Sequence, residues 1–169
     1  GELPTESELS AFTDAMSAER DIDDDTLETV TRLAEADEEP MAAMRTAASS
    51  LSAADPDTDA EPTDPQANVR KARRITAKLP TALAAFARVR DGEEPVAPRE
   101  DLGHAENFLY MLNGEVPDEV TADVFDQALV LHADHGLNAS TFSATVTAST
   151  LADMHSAITS AVGTLSGSL

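Results

Sequence analysis

Apolar side chains recur along this chain at intervals of three and four, the helical period, and strand-like alternation is nearly absent. Thr5 and Glu8 stand at the spacing of a capping box, and Leu9, Phe12 and Met16 follow on one face. Asp25 and Glu28 repeat the spacing around Leu27, Val30, Leu33 and Ala34. Pro40 suits a first helical position, and Met44, Ala48 and Leu51 mark the next stripe. Gln66 to Arg90 carries Val69, Ala72, Ile75 and Leu79, then Leu83, Phe86 and Val89, with Pro80 expected to break or kink it and Gly92 to end it. Asp101 is the expected cap of a helix from Leu102 to Asn113, which Gly114 terminates.

Pro117 opens a further helix, in which Val120, Val124, Ala128, Leu131 and His135 fall within about 80° of one another at 100° per residue. The expectation is a buried stripe with His135 at its inner end, beside a helix C-terminus that favours an imidazolium. Asn138 is the expected cap of the next helical stretch. There Phe142, Val146, Met154, Ile158, Val162 and Leu165 alternate with small residues, as in a central helix or a broken pair. The pattern predicts an all-α fold of about eight helices, one domain over residues 1–169. The stretch DPDTDAEPTDP, residues 55–65, holds three prolines and five acids and is expected to be a solvated loop. Glu93 to Glu100 is a second proline-broken loop.

Charge changes the picture most: 11 basic against 32 acidic residues give −21. Such a surface is unsuited to nucleic acid. The acids are spread along the chain, apolar content is 41%, and Lys71 and Lys78 are its two lysines, which favours a salt-adapted cytoplasmic protein over a nucleic-acid mimic. Its self-repulsion would be screened within about 3 Å at molar salt. No run of 18 apolar residues and no signal peptide is visible, so no membrane association is expected. Without cysteine there are no disulfides, thiolate chemistry or cysteine-ligated metals.

Candidate chemistry centres on the histidines. His132 and His135, three apart, could share a metal, but His104 and His155 have no local partner and the Glu of His-Glu-x-x-His is missing, so no metal is expected. Asp134 beside them reads as structural, because neighbours on a helix point about 100° apart. The run Asn107 to Met111 reads as core, and Arg70, Arg73 and Arg74 as partners of carboxylates rather than an anion site. No glycine-rich phosphate loop is present.

Taken in order, ANVRKARRITAKLPTALAAFARVRDG, NFLYMLNGEVPDE, ALVLHADHGLNASTFSATV and AITSAVGTLSGSL resemble consecutive pieces of a citrate synthase of bacterial or archaeal type. The likeness is strongest from Arg70 to Leu169, and HADHGLNAS, residues 132–140, is its specific part. The resemblance implies condensation of acetyl-CoA with oxaloacetate to citrate and CoA, a tricarboxylic acid cycle reaction, with acetyl-CoA as co-substrate and no further cofactor. It gives His135 a hydrogen bond to oxaloacetate, and Asn138 and Ser140 the fixing of the substrate pocket. Gly136 stands where the family often has glutamate. The catalytic histidines and aspartate are expected beyond Leu169, none of them in this chain, which would be an internal fragment of the large domain without the small catalytic domain. The resemblance also implies a homodimer through large-domain helices, with Thr141 to Ser168 as a contact surface. A 2-methylcitrate synthase shares the segment and is one alternative; a non-catalytic acidic helical interaction protein is the other.

Overall fold

The computed structural model describes residues 3–134 and 136–167. Among them lie eight helices and no strand: α1 (Glu6–Ser17), α2 (Asp24–Glu35), α3 (Pro40–Ser50), α4 (Pro65–Arg90), α5 (His104–Asn113), α6 (Glu119–His132), α7 (Ala139–Ser149) and α8 (Met154–Leu165). The all-α expectation holds, and the last stretch is a broken pair, α7 and α8, separated by a turn in which Leu151 takes a φ of 62°.

The ends follow capping chemistry. The Thr5–Glu8 box forms as expected, Glu8 N–H donating to Thr5 Oγ1 and Thr5 N–H to Glu8 Oε2. Two caps differ from expectation. Asp23, not Asp25, caps α2, because its carboxylate accepts both the N–H and the hydroxyl of Thr26. In front of α5, Asp101 is drawn into a two-bond pairing with Arg99 (2.9 and 2.5 Å), and Gly103 takes the cap position with its N–H on Glu106. Similarly Asp118, one residue after Pro117, caps α6 through Thr121. Gly114 ends α5 at φ 80°, where a side chain would be strained and would meet Arg88 at 3.1 Å.

α4 is the axis of the fold. It is one helix with Pro80 inside it, so of the expected break or kink the break does not occur. A proline inside a helix costs roughly 3 kcal/mol; here α1, α2, α3, α5 and α8 all pack along α4. The core lies where α2, α3 and α4 meet: Val30 and Ala34, Ala43 and Ala47, and Ala82, Ala85 and Phe86. Five of these are alanine, so the helices approach closely and one ring, Phe86, fills the remaining space.

Buried residues such as Ile75, Leu102, Ala105 and Met111 extend the core, whereas α6 and α7 bury none. α6 packs on α5, Phe125 stacking on Phe108 with centroids 5.4 Å apart. That contact uses the face next to the expected stripe, so the stripe is not buried: Val120, Val124 and Leu131 are 71, 62 and 80% exposed. An apolar groove of about 450 Å³ opens between Leu79, Leu83, Phe108, Phe125 and Ile158. Among the described residues no helix is long and apolar enough to cross a membrane.

Candidate functional site

The segment expected to bind substrate is the junction between α6 and α7. α6 ends at His132 with Ala133 as its C-cap. His132 turns back on its own helix, Nδ1 lying 2.6 Å from the Ala128 carbonyl, which leaves Nε2 as the outward nitrogen. Asp134 closes a turn by accepting the Gly136 N–H at 2.6 Å. Gly136 takes φ 70°, a conformation glycine adopts without steric cost. Asn138 then caps α7, its Oδ1 accepting the Thr141 N–H at 2.8 Å and the Thr141 hydroxyl at 3.1 Å. Ser140, half-buried, stands in the first turn of α7. His135 lies outside the described residues.

Asn138 therefore caps α7 and Ser140 stands in its first turn, next to a turn closed by Asp134. The junction is open: His132, Asp134, Leu137 and Asn138 are exposed. Among the described residues no group of three or more acidic or imidazole side chains is placed to hold a metal.

Sequence reasoning missed a second constellation, inside the loop expected to be solvated. Asp55 is buried, its side chain 2% exposed, and accepts Arg74 twice, at 2.6 and 3.1 Å. It also accepts the Asp57 N–H at 2.8 Å and lies 3.0 Å from Nε2 of His155, itself buried. Asp57 bridges Arg70 and Arg74 at 2.6 and 2.5 Å. Burial disfavours the Asp55 carboxylate, but Arg74, the Asp57 N–H and His155 outweigh it and hold the group below the ordinary carboxylate range. Arg70 and Arg74 hold Asp57 well below it. The loop is thus pinned to α4 by the buried Arg74 and the more exposed Arg70, and to α8 by His155. The arginine cluster pairs with acids as expected, Arg73 taking Glu19 at 3.3 Å. The run Asn107 to Met111 packs as core: Asn107 and Met111 are buried and the Asn107 amide oxygen accepts the Arg99 N–H. His104 sits among apolar groups near Arg20, and burial, then that charge, push its pKa down.

An all-helical body of this topology defines a class before it defines a protein, and comparison supplies the rest. Residues 1–169 match the family model described as citrate synthase, C-terminal domain. The chain is 62% identical over 170 residues to a citrate synthase of Haloferax volcanii, covering all of this chain and 45% of the relative. It is 46% identical over 169 residues to a 2-methylcitrate synthase of Mycobacterium tuberculosis, covering 42% of that protein. The crystal structure of citrate synthase from Pyrobaculum aerophilum superposes with a TM-score of 0.92 at 38% identity, over 98% of this chain and 43% of that one. A citrate synthase of Thermoplasma acidophilum, solved as a ternary complex with carboxymethyl coenzyme A and oxaloacetate, gives 0.89 at 26% identity, over 99% of this chain and 43% of its own. The chain belongs to the citrate synthase family. It spans less than half the length of these relatives.

Proposed function

We propose that this chain is part of a citrate synthase that condenses acetyl-CoA with oxaloacetate, and that it supplies substrate-binding groups at His132 to Ser140 while the proton-transferring groups reside elsewhere in a longer polypeptide. The observation that carries the reading is identity of 62% to a citrate synthase across the whole chain. Two structural features support a longer polypeptide. The α6 stripe and the 450 Å³ groove leave apolar surface that a complete molecule would cover, and the relatives are more than twice as long. In this reading His135 hydrogen-bonds oxaloacetate, and Asn138 and Ser140 help fix the substrate pocket. Oriented donors in a site closed to water would favour attack of the acetyl-CoA enol on the ketone.

The test uses the purified full-length protein and the 169-residue chain, each assayed for release of CoA from acetyl-CoA with oxaloacetate. The full-length protein is expected to form citrate and the chain none. Citrate formed by the chain alone would sink the division of labour, and a full-length protein inactive toward every acyl-CoA would sink the enzymatic reading. A second reading, propionyl-CoA as the preferred thioester, is favoured by the 46% identity to a 2-methylcitrate synthase. The ratio of kcat/KM for the two thioesters separates them.

We also place the protein in the cytoplasm of a salt-adapted cell, on the charge of −21 and the Haloferax relative. Pairing into a homodimer through α7 and α8 is supported by the exposure of Phe142 (73%) and Val146 (49%).

A further inference from the structure

The hairpin of α7 and α8 is attached to the rest of the fold by little polar contact. α7 packs mainly on α8, and α8 packs on α3 and α4. Within the hairpin Ser143 and Ser160 hydroxyls meet at 2.5 Å. Beyond the junction that caps α7, one hydrogen bond among the described residues joins the hairpin to another part of the fold: His155 to Asp55, 3.0 Å. The remaining attachment is van der Waals packing, as where the methylene Cδ of Arg45 lies against Gly163. Such packing is non-directional, whereas a hydrogen bond between buried groups fixes direction as well as distance.

His155 and Asp55 are 4 and 8% exposed. Asp55 is itself clamped by Arg74 of α4. Because a carboxylate only accepts, His155 donates to it from Nε2, and Nδ1 has no partner among the described residues. The bond therefore ties α8 to α4 through Asp55, at the turn end of the hairpin. Ser143 facing Ser160 places the start of α7, with Asn138 and Ser140, at the opposite end beside the C-terminus of α8. At about 1.5 Å per residue that end lies about 15 Å from His155. A tilt of about 4° about the pin moves it by about 1 Å, a displacement that can cost about a hundredfold in rate.

The geometry points to His155 as a positioning residue, which through Asp55 and Arg74 sets the angle of the α7–α8 hairpin and so the place of Asn138 and Ser140. The role of those two residues toward oxaloacetate rests on the proposed function. The test compares wild type, His155→Phe and His155→Gln in the full-length enzyme. Phenylalanine keeps a ring and loses the donor; glutamine places an amide N–H near the position of Nε2. His155→Phe is expected to raise KM for oxaloacetate about tenfold and to lower kcat, with KM for acetyl-CoA within about twofold. His155→Gln is expected to bring the oxaloacetate KM back to within about threefold of wild type. Amide hydrogen exchange along α7, read on the same proteins, is expected to be faster in the Phe variant and near wild type in the Gln variant. An unchanged oxaloacetate KM in a folded Phe variant, or Phe and Gln variants equally impaired, overturns the proposal. Should the Phe variant not fold, His155→Asn, whose amide is too short to reach Asp55, replaces it with the same expectations. A wild type that forms no citrate sinks the proposed function alone; the pin is then decided by exchange, and equal rates in all variants overturn it.

Discussion

Asp55 and Asp59 sit four residues apart in one acidic loop, yet their surroundings differ. Asp55 is buried against Arg74 and His155, while Asp59 is exposed. Replacing Asp55 by asparagine removes the charge that answers a buried guanidinium, and breaking one side of a buried pair costs about 3 kcal/mol. Replacing Asp59 the same way is expected to change stability by less than about 0.5 kcal/mol. Urea denaturation of the two variants checks this, and equal midpoints would refute the assignment. The contrast also marks where sequence reading stops. That Arg70, Arg73 and Arg74 pair with acids follows from composition, because carboxylates outnumber cations about three to one. Which carboxylate is buried does not, since the loop offers five and the deciding partner, His155, lies 100 positions away.

Helices were legible because their period is local, and their first turns were harder because acids crowd them. Around α2 the chain carries Asp21, Asp23, Asp24 and Asp25, any of which has the chemistry of a cap. The choice is made by geometry: Asp23 reaches the N–H and hydroxyl of Thr26 at 2.9 and 2.8 Å, and Asp25 lies within the first helical turn. Asp23→Ala is therefore expected to cost about 1 kcal/mol, and Asp25→Ala less than about 0.5, measured by thermal melting at fixed salt. A larger effect at Asp25 would restore the cap read from spacing. Pro80 belongs to the same scale. A break or kink there follows from the covalent chemistry of proline, which is local, whereas the packing along the unbroken α4 comes from five other helices. The α6 stripe is the converse case. The helical period put Val120, Val124 and Leu131 on one face, but whether a face is buried depends on what packs against it, and α5 packs on the neighbouring one.

At the scale of the whole molecule, most cations among the described residues are already committed. Seven arginines pair with carboxylates: Arg32, Arg70, Arg73, Arg74, Arg88, Arg90 and Arg99. Arg20 and Lys78 donate to backbone carbonyls instead. With 32 acids against 11 basic residues, most carboxylates have no cation to meet and repel one another across the surface. Folding gathers these charges, and unfolding separates them, so repulsion weighs against the native state wherever it is unscreened. At 0.01 M salt the screening length is about 30 Å, comparable to the molecule, and at 1 M about 3 Å, shorter than the gap between neighbouring surface groups. The melting temperature of the full-length protein is therefore expected to rise steeply from dilute buffer to molar potassium chloride. The buried Asp55–Arg74–His155 network, shielded from solvent, should contribute nearly the same at both extremes, so Asp55→Asn should lower the melting temperature by a similar amount at each. A melting temperature indifferent to salt would show that the surface charge is not what limits stability.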